Sequence, residues 1–141
     1  MQPVLAIIAA ALLGVLLTGR LAVAETSQDC SQLDGTTSDR VQCFERVYEA
    51  ADAEQEALYR KLLDSLIDPG ERTLLETAQR AWIQYREREC EFETAGTRLG
   101  TIHPIVVRDC LTEKTKAHIA ELRRQLDCPS GDTGCLHQQR Q

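Results

Sequence analysis

The sequence lacks the short motifs that mark several common catalytic and metal sites. It contains no C-x2-C pair, which argues against zinc as the use of its cysteines, and no two histidines at i, i+4 spacing. It has neither a G-x-S-x-G nucleophile elbow nor a glycine-rich phosphate loop. These absences favour a binding or structural protein over an enzyme, and we expect no cofactor and no metal.

Aromatic residues are scarce, at 4% of the chain with a single tryptophan. A small domain with few large apolar side chains needs staples in addition to its core. The even number of cysteines supplies them, and in an exported protein it favours three disulfides, which would leave no thiol nucleophile. The cysteines are Cys30, Cys43, Cys90, Cys110, Cys128 and Cys135.

Basic residues are also under-represented, with 16 Lys and Arg against 22 Asp and Glu and a net charge of −6. An acidic surface repels nucleic acids and attracts cationic proteins. We therefore expect no nucleic-acid binding and consider a basic protein, such as a secreted lysozyme, as the partner. The alternative interpretation is that the charge serves solubility alone.

A single long apolar run, Val4 to Leu17, lies near the start of the chain and is followed by an A-x-A pattern at residues 22–24. This order is typical of a signal peptide, which we predict for residues 1–24. A membrane anchor is the alternative, but a span takes about 20 residues. We expect a periplasmic protein, with secretion as the alternative, and no stable membrane anchor after cleavage. Losing Arg20 changes the net charge from −6 to −7.

Hydrophobic periodicity and breakers predict three helices after an irregular lead-in from Glu25 to Thr37. The expected helices run from Ser38, with Thr37 or Ser38 as N-cap, to about Ile67, from about Glu71 to Thr94, and from Pro104 to about Leu126. The short break at residues 68–70 implies an antiparallel hairpin. We predict an all-α, small antiparallel three-helix domain stapled by disulfides over residues 25–127, followed by a polar, loosely ordered tail at 128–141.

The second helix carries the most informative apolar stripe, which centres on Trp82. We expect the indole to anchor the core, because an aromatic residue at helical spacing usually faces inward. The residues predicted to share this face are Leu75, Ala78, Trp82, Tyr85 and Phe92. On the third helix we expect His118 to be a packed, hydrogen-bonded side chain rather than a metal ligand.

Polar residues interrupt the apolar faces of the first two helices. Asp52 and Gln55 lie within the first stripe, and Arg86 and Glu89 lie within the second. A buried guanidinium needs a partner, so we predict a partly buried Asp52–Arg86 ion pair with Gln55 and Glu89 nearby. The cluster is either an internal clamp that sets helix register or a binding or acid–base site.

Helix geometry narrows the cysteine pairing. Cys90 and Cys110 would each lie about 6–9 Å from the loop between the second and third helices, at 1.5 Å per residue, so antiparallel helices bring them level. We predict Cys90–Cys110 on this basis and Cys30–Cys43 between the lead-in and the first helix. The remaining pair, Cys128–Cys135, would close a loop in the tail.

The sequence resembles the lysozyme inhibitor LprI-like N-terminal domain family over about Asp29 to Leu126. The specific part is the Gln79-Arg80-Ala81-Trp82, Tyr85-Arg86 and Cys90 motif. The remaining matches are Cys30, Cys43, Ala51-Asp52 to Leu58-Tyr59, Gly100-Thr101, Cys110 and Leu111 to Thr115. The core motif carried by the resemblance, together with the polar cluster, comprises Asp52, Tyr59, Gln79, Trp82, Arg86 and Glu89.

The resemblance implies an exported, disulfide-stapled helical protein that inhibits lysozyme by protein contact. This sequence shows no lipobox cysteine, and it has His118 where family members often carry arginine. We expect inhibition to use acidic side chains of the Gly96 to His103 region and the neighbouring helix ends. The alternatives are a periplasmic structural or adaptor module and an enzyme that uses Asp52, Arg86 and Glu89.

Overall fold

The computed structural model describes residues 25–128. The signal peptide predicted for residues 1–24 and the tail from residue 129, including Cys135, lie outside the described residues. Between residues 25 and 128 the chain is helical, without a strand, which confirms the all-α prediction. Its elements are α1 (Ser27–Ser31), α2 (Thr37–Ser65), α3 (Pro69–Glu93), a 3-10 turn (Ala95–Thr97) and α4 (His103–Leu126).

The lead-in contains a short helix, so the prediction of an irregular segment from Glu25 to Thr37 is wrong there. The Thr26 hydroxyl accepts a hydrogen bond from the Asp29 amide at 3.2 Å, and the Asp29 carboxylate accepts one from the Thr26 amide at 3.0 Å. This reciprocal cap stabilises a single turn. A disulfide between Cys30 and Cys43, with a Cα–Cα distance of 5.6 Å, then attaches the turn to α2.

The long helices begin one or two residues earlier than predicted because their caps lie further upstream. Thr36, rather than Thr37 or Ser38, caps α2 and pairs reciprocally with Asp39. Asp68 accepts hydrogen bonds from the amides of Gly70 and Glu71 at 2.8 and 3.0 Å, which starts α3 at Pro69. Proline suits this first helical position, where its missing amide proton costs nothing.

The core lies mainly between α2 and α4, which make most of the contacts between helices, whereas α3 packs chiefly on α4. Phe44 and Val47 are buried beside the Cys30–Cys43 disulfide, with Leu33 and Ile105 packed against them. The apolar core continues along the two helices with Ala51, Leu62, Leu111, Ile119 and Leu122. Because α3 contributes few apolar side chains to this core, its buried positions include polar residues.

The buried face of α3 differs from the predicted apolar stripe. Tyr85 and Phe92 are 55% and 76% exposed and Ala78 is also exposed, so their predicted place in the core is wrong. Trp82 is only half-buried, so the prediction that its indole anchors the core is wrong as well. The buried residues of α3 are Gln79, Arg86 and Cys90. Cys90 faces inward because it bonds to Cys110 on α4, with a Cα–Cα distance of 5.7 Å. With Cys90 turned inward, the buried face of α3 is rotated away from Tyr85 and Phe92.

Two of the predicted disulfides, Cys30–Cys43 and Cys90–Cys110, are confirmed. The predicted Cys128–Cys135 bond stays a prediction, since Cys135 lies outside the described residues. No helix within residues 25–128 is long and apolar enough to cross a membrane.

Candidate functional site

A buried arginine is the centre of the polar residues between the long helices. Arg86 of α3 is 4% exposed, and its Nη1 donates hydrogen bonds to Asp52 Oδ1 of α2 at 2.6 Å and to Thr115 Oγ1 of α4 at 3.0 Å. The predicted Asp52–Arg86 ion pair is therefore present, and it joins all three long helices. The side chain of Asp52 remains 45% exposed, so its carboxylate keeps part of its hydration.

Two aromatic rings complete the surroundings of this arginine. The Arg86 guanidinium carbon lies 4.9 Å from the Trp82 ring centroid and 5.6 Å from that of Tyr48. Such cation–π contacts offset part of the desolvation of a buried guanidinium. We call the group the Arg86 cluster, which comprises Tyr48, Asp52, Trp82, Arg86 and Thr115.

His118 contacts the Arg86 cluster through Trp82. Its ring stacks on Trp82 with centroids 4.0 Å apart and 14° between the planes, and its Nε2 lies 3.1 Å from Gln79 Oε1. Burial lowers the pKa of His118 below its ordinary value of 6.5; nearby Glu121 raises it and Arg86 lowers it. A neutral imidazole is therefore favoured, as expected for a packed side chain.

A second arginine, Arg108, also lies close to the Tyr48 ring. The Arg108 guanidinium lies 5.1 Å from the Tyr48 centroid and forms an ion pair with Glu45. Burial raises the pKa of Tyr48, partly opposed by Arg86. Neither Tyr48 nor Arg108 was predicted for the site. Arg108 gave no local signal because its partners lie 60 or more residues away in sequence.

The interior also contains polar atoms without a protein partner. Gln55 Nε2, Gln79 Nε2 and Arg86 Nε are buried donors with no acceptor among residues 25–128. Unpaired buried donors cost free energy, typically about 1–3 kcal/mol each when no water reaches them. Within the Arg86 cluster, Nη1 of Arg86 is therefore paired while its Nε is not.

Two other residues predicted for the site, Glu89 and Tyr59, are not part of the Arg86 cluster. Glu89 makes no hydrogen bond or ion pair with Arg86 in the described part of the chain. Tyr59 is half-buried on α2, where burial raises its pKa and the charges that act on it are Glu76, Glu56, Arg80 and Arg60. Residues 25–128 contain no group of three side chains suited to hold a metal ion.

The loop between α3 and α4 differs from the expected acidic surface. The predicted region from Gly96 to His103 contains no Asp or Glu, so an inhibitory surface built on acidic side chains of the loop itself is wrong. Its charged residue is Arg98, and its apolar residues Leu99 and Ile102 are 102% and 52% exposed. Carboxylates are supplied instead by the end of α3.

Two concave sites lie at opposite ends of α3. One, of about 340 Å³, lies beside the α3–α4 loop and is lined by Glu87, Glu91, Arg98, His103, Val107 and Leu111. The other, of about 360 Å³, is a mostly apolar groove near the α2–α3 turn, lined by Leu62, Leu66, Leu74, Leu75, His118 and Leu122. Neither is lined by Asp52 or Arg86, so the ion pair does not open into either concave site.

One comparison with known proteins identifies a family. The family model described as lysozyme inhibitor LprI matches residues 27–122. An uncharacterized protein of Rhizobium meliloti (strain 1021) is 35% identical over 97 residues, which cover 60% of this chain and 70% of that protein. No solved structure matches the chain. The matched range runs from α1 into the last turns of α4 and includes both described disulfides and the Arg86 cluster.

Proposed function

Because the chain belongs to the lysozyme inhibitor LprI family, we propose that it is an exported protein that inhibits a cationic lysozyme by direct contact. The family match over residues 27–122 is the observation that carries this proposal. It includes nearly all of the residues that the structure describes. The protein partner implied by the family is a lysozyme, and inhibition by covering its cleft is the part that we propose.

Net charge supports a cationic partner. The chain carries −6, and −7 after loss of Arg20 with the proposed signal peptide. Opposite charges steer two proteins together and raise the association rate most at low salt. The two described disulfides support an oxidising compartment, so we place the protein in the periplasm after removal of residues 1–24.

We also propose that the protein acts without catalysis. Arg86 is sealed between the helices, and its bonds to Asp52 and Thr115 occupy one nitrogen of the guanidinium. A catalytic group must reach its substrate, whereas Arg86 meets neither described concave site. We assign the Arg86 cluster to helix register and the motif around Trp82 to folding.

We propose that the fold is an antiparallel arrangement of three long helices within a domain of residues 25–127. Between α3 and α4, Gln79 meets His118 and Cys90 meets Cys110, so numbers rise on one helix as they fall on the other. The contacts between α2 and α3 follow the same order: Leu63 with Arg72, and Asp52 with Arg86.

A lysis assay tests the proposed function. A bacterial suspension is treated with a basic lysozyme in the presence of excess oxidised protein, and turbidity is followed over time. We expect slower lysis, with weaker inhibition at high salt because screening reduces the attraction. An unrelated acidic protein of similar net charge is the control. Unchanged lysis with several lysozyme types would remove the proposal.

The alternative is an envelope adaptor that binds another protein, which the apolar groove lined by Leu62, Leu74 and Leu122 favours. Exposed apolar surface of this kind often marks a protein contact. Copurification of one stable envelope partner, together with unchanged lysis, would support the adaptor over the inhibitor.

A further inference from the structure

The end of the molecule where α3 meets α4 exposes three large apolar side chains. Phe92 is 76% exposed, Leu99 is 102% exposed and Ile102 is 52% exposed. They lie within eleven positions of the chain, around the α3–α4 loop. We call Phe92, Leu99 and Ile102 the tip surface. Exposed apolar groups gathered in one place typically mark a contact with another protein.

The loop that carries the tip surface is held in shape by its own hydrogen bonds. The Thr97 hydroxyl donates to Thr94 O at 2.8 Å and lies 2.9 Å from His103 Nδ1. The backbone amides of Thr97, Gly100 and His103 donate to carbonyls three residues earlier, at 2.7–3.1 Å. Since such a loop loses little freedom on binding, its apolar side chains are presented at low entropic cost.

A disulfide fastens the base of the loop. Cys90 in the last turn of α3 bonds to Cys110 in the second turn of α4, and the Thr94 hydroxyl donates to Cys90 O at 2.7 Å. The two helix ends are therefore joined covalently below the tip surface. A cross-link at this position makes the loop a rigid projection rather than a flexible connection.

The concave site beside the loop adds a feature that suits a basic side chain. Its walls include the apolar side chains of Val107 and Leu111, the carboxylates of Glu87 and Glu91, and the side chains of Arg98 and His103. Lys and Arg side chains bury an aliphatic stem on apolar surface while their charged end stays near water or a carboxylate. A volume of about 340 Å³ is ample for one such side chain.

Charge at the end of α3 favours the same kind of partner. Its last turn contains no basic residue, although a helix C-terminus carries partial negative charge and prefers cations. Glu91 pairs with Arg88 and Glu93 pairs with Lys114, whereas Glu87 makes no ion pair among the described residues. A cation from a partner would relieve this unfavourable arrangement.

We infer that the tip surface and the adjoining concave site together form the contact with a cationic lysozyme. Leu99 and its apolar neighbours pack into a concave part of the partner, and a partner Lys or Arg enters the concave site, where Glu87 pairs with its charge. This assignment rests on the proposed inhibition of lysozyme and names the surface that carries it.

Matched serine variants test the apolar part. Inhibition constants for a basic lysozyme are measured with the oxidised protein, with Leu99→Ser, and with Ile67→Ser as the control. Ile67 is 89% exposed at the α2–α3 turn, at the far end of α3. We expect Leu99→Ser to weaken inhibition at least about tenfold, since burying a leucine contributes about 1.5–3 kcal/mol. Ile67→Ser should leave it unchanged.

Matched glutamine variants test the charged part. Glu87→Gln is compared with Glu49→Gln, an exposed carboxylate on α2, in low and high salt. We expect Glu87→Gln to weaken inhibition by about three- to tenfold at low salt and to reduce its salt dependence, because a close pair with a partner cation is lost. Equal unfolding midpoints would show that all four variants remain folded.

The outcomes separate the inference from the proposed function. If the unmodified protein inhibits and Leu99→Ser inhibits equally well, or Ile67→Ser is weakened as much, the tip surface is not the contact and the inference is overturned. If the unmodified protein does not slow lysis by any lysozyme tested, the proposed function fails and the inference fails with it.

Discussion

Charged side chains are usually exposed and large apolar ones usually buried, but Arg86 and Leu99 both depart from this rule. The charged residue is 4% exposed and the apolar residue is 102% exposed. Arg86 has partners on all three long helices, including Asp52 and Thr115. Leu99 projects from a rigid loop into solvent. A buried charge that has partners within the chain, such as Arg86, contributes to the fold. A large apolar side chain that is fully exposed, such as Leu99, indicates a contact with another molecule.

The largest expected effect comes from removing the buried charge. Arg86→Met loses two hydrogen bonds and two ring contacts. We expect the free energy of unfolding to fall by about 2–4 kcal/mol, somewhat less than for a fully buried pair, because water still reaches Asp52. Urea denaturation of the oxidised protein measures the change.

A double-mutant cycle with Asp52→Leu checks that the two residues act as a pair. We expect the double variant to lose less stability than the two single variants together, because each single change leaves a partner uncompensated. Strictly additive losses would show that the Asp52–Arg86 contact contributes nothing to stability. Arg86 would then no longer be an example of a buried charge stabilised within the chain.

The next effect concerns the disulfide at the base of the loop. Replacing Cys90 and Cys110 by serine opens a link across a sequence separation of 20 and should cost about 3 kcal/mol in the chain-entropy model. Inhibition should weaken as well, because the tip surface is no longer held rigid. Unfolding and lysis assays at a temperature where the variant remains folded measure the two effects.

The matched control is the replacement of Cys30 and Cys43, which span a sequence separation of 13 and join α1 to α2. A comparable loss of stability without loss of inhibition is expected, since this link joins α1 to α2 and its removal leaves the Cys90–Cys110 bond at the base of the α3–α4 loop in place. Equal inhibition by both serine pairs would show that rigidity at the α3–α4 end is irrelevant.

A smaller, pH-dependent effect is expected from His118. Burial lowers its pKa in the folded protein, so the unfolded chain binds a proton more readily. The free energy of unfolding should therefore fall as the pH drops through about 6.5, the ordinary histidine value, until the folded pKa is passed. His118→Gln should flatten this part of a stability profile measured between pH 8 and 5 (roughly the range in which histidine titrates). An identical profile would contradict the assignment.

The smallest effect should come from the tip surface itself. Leu99→Ser and Phe92→Ser should change the free energy of unfolding by no more than about 0.5 kcal/mol, because both side chains are already in solvent. Chemical denaturation measures this. A loss above about 1 kcal/mol would mean that these residues stabilise the fold, and their exposure would no longer indicate a partner.

Sequence patterns predicted the three long helices, the two described disulfides and the Asp52–Arg86 pair, but not the short α1 or the rotation of α3. The apolar arc through Tyr85 and Phe92 suggested one buried face, and the structure buries the face of Gln79 and Arg86 instead. A helical wheel treats apolar residues as core residues. It has no means to recognise an apolar side chain that is exposed for contact with a partner.

The contacts of the Arg86 cluster show a second limit. Arg86 meets Thr115 and Tyr48, which are 29 and 38 positions away, and neither shares a local pattern with it. Residues on one helix reveal their spacing through periodicity. Partners on different helices depend on rotation and register, which the packing of whole helices decides.

The sequence by itself determined the helical elements and the cysteine pairs at their ends, because capping, periodicity and the rise of a helix act over short stretches of chain. Only the tertiary structure decided that Arg86 is enclosed while Leu99 and Phe92 face solvent. The physical reason is that the Cys90–Cys110 bond and the packing of α3 on α4 select one rotation of the helix among several that its apolar pattern allows.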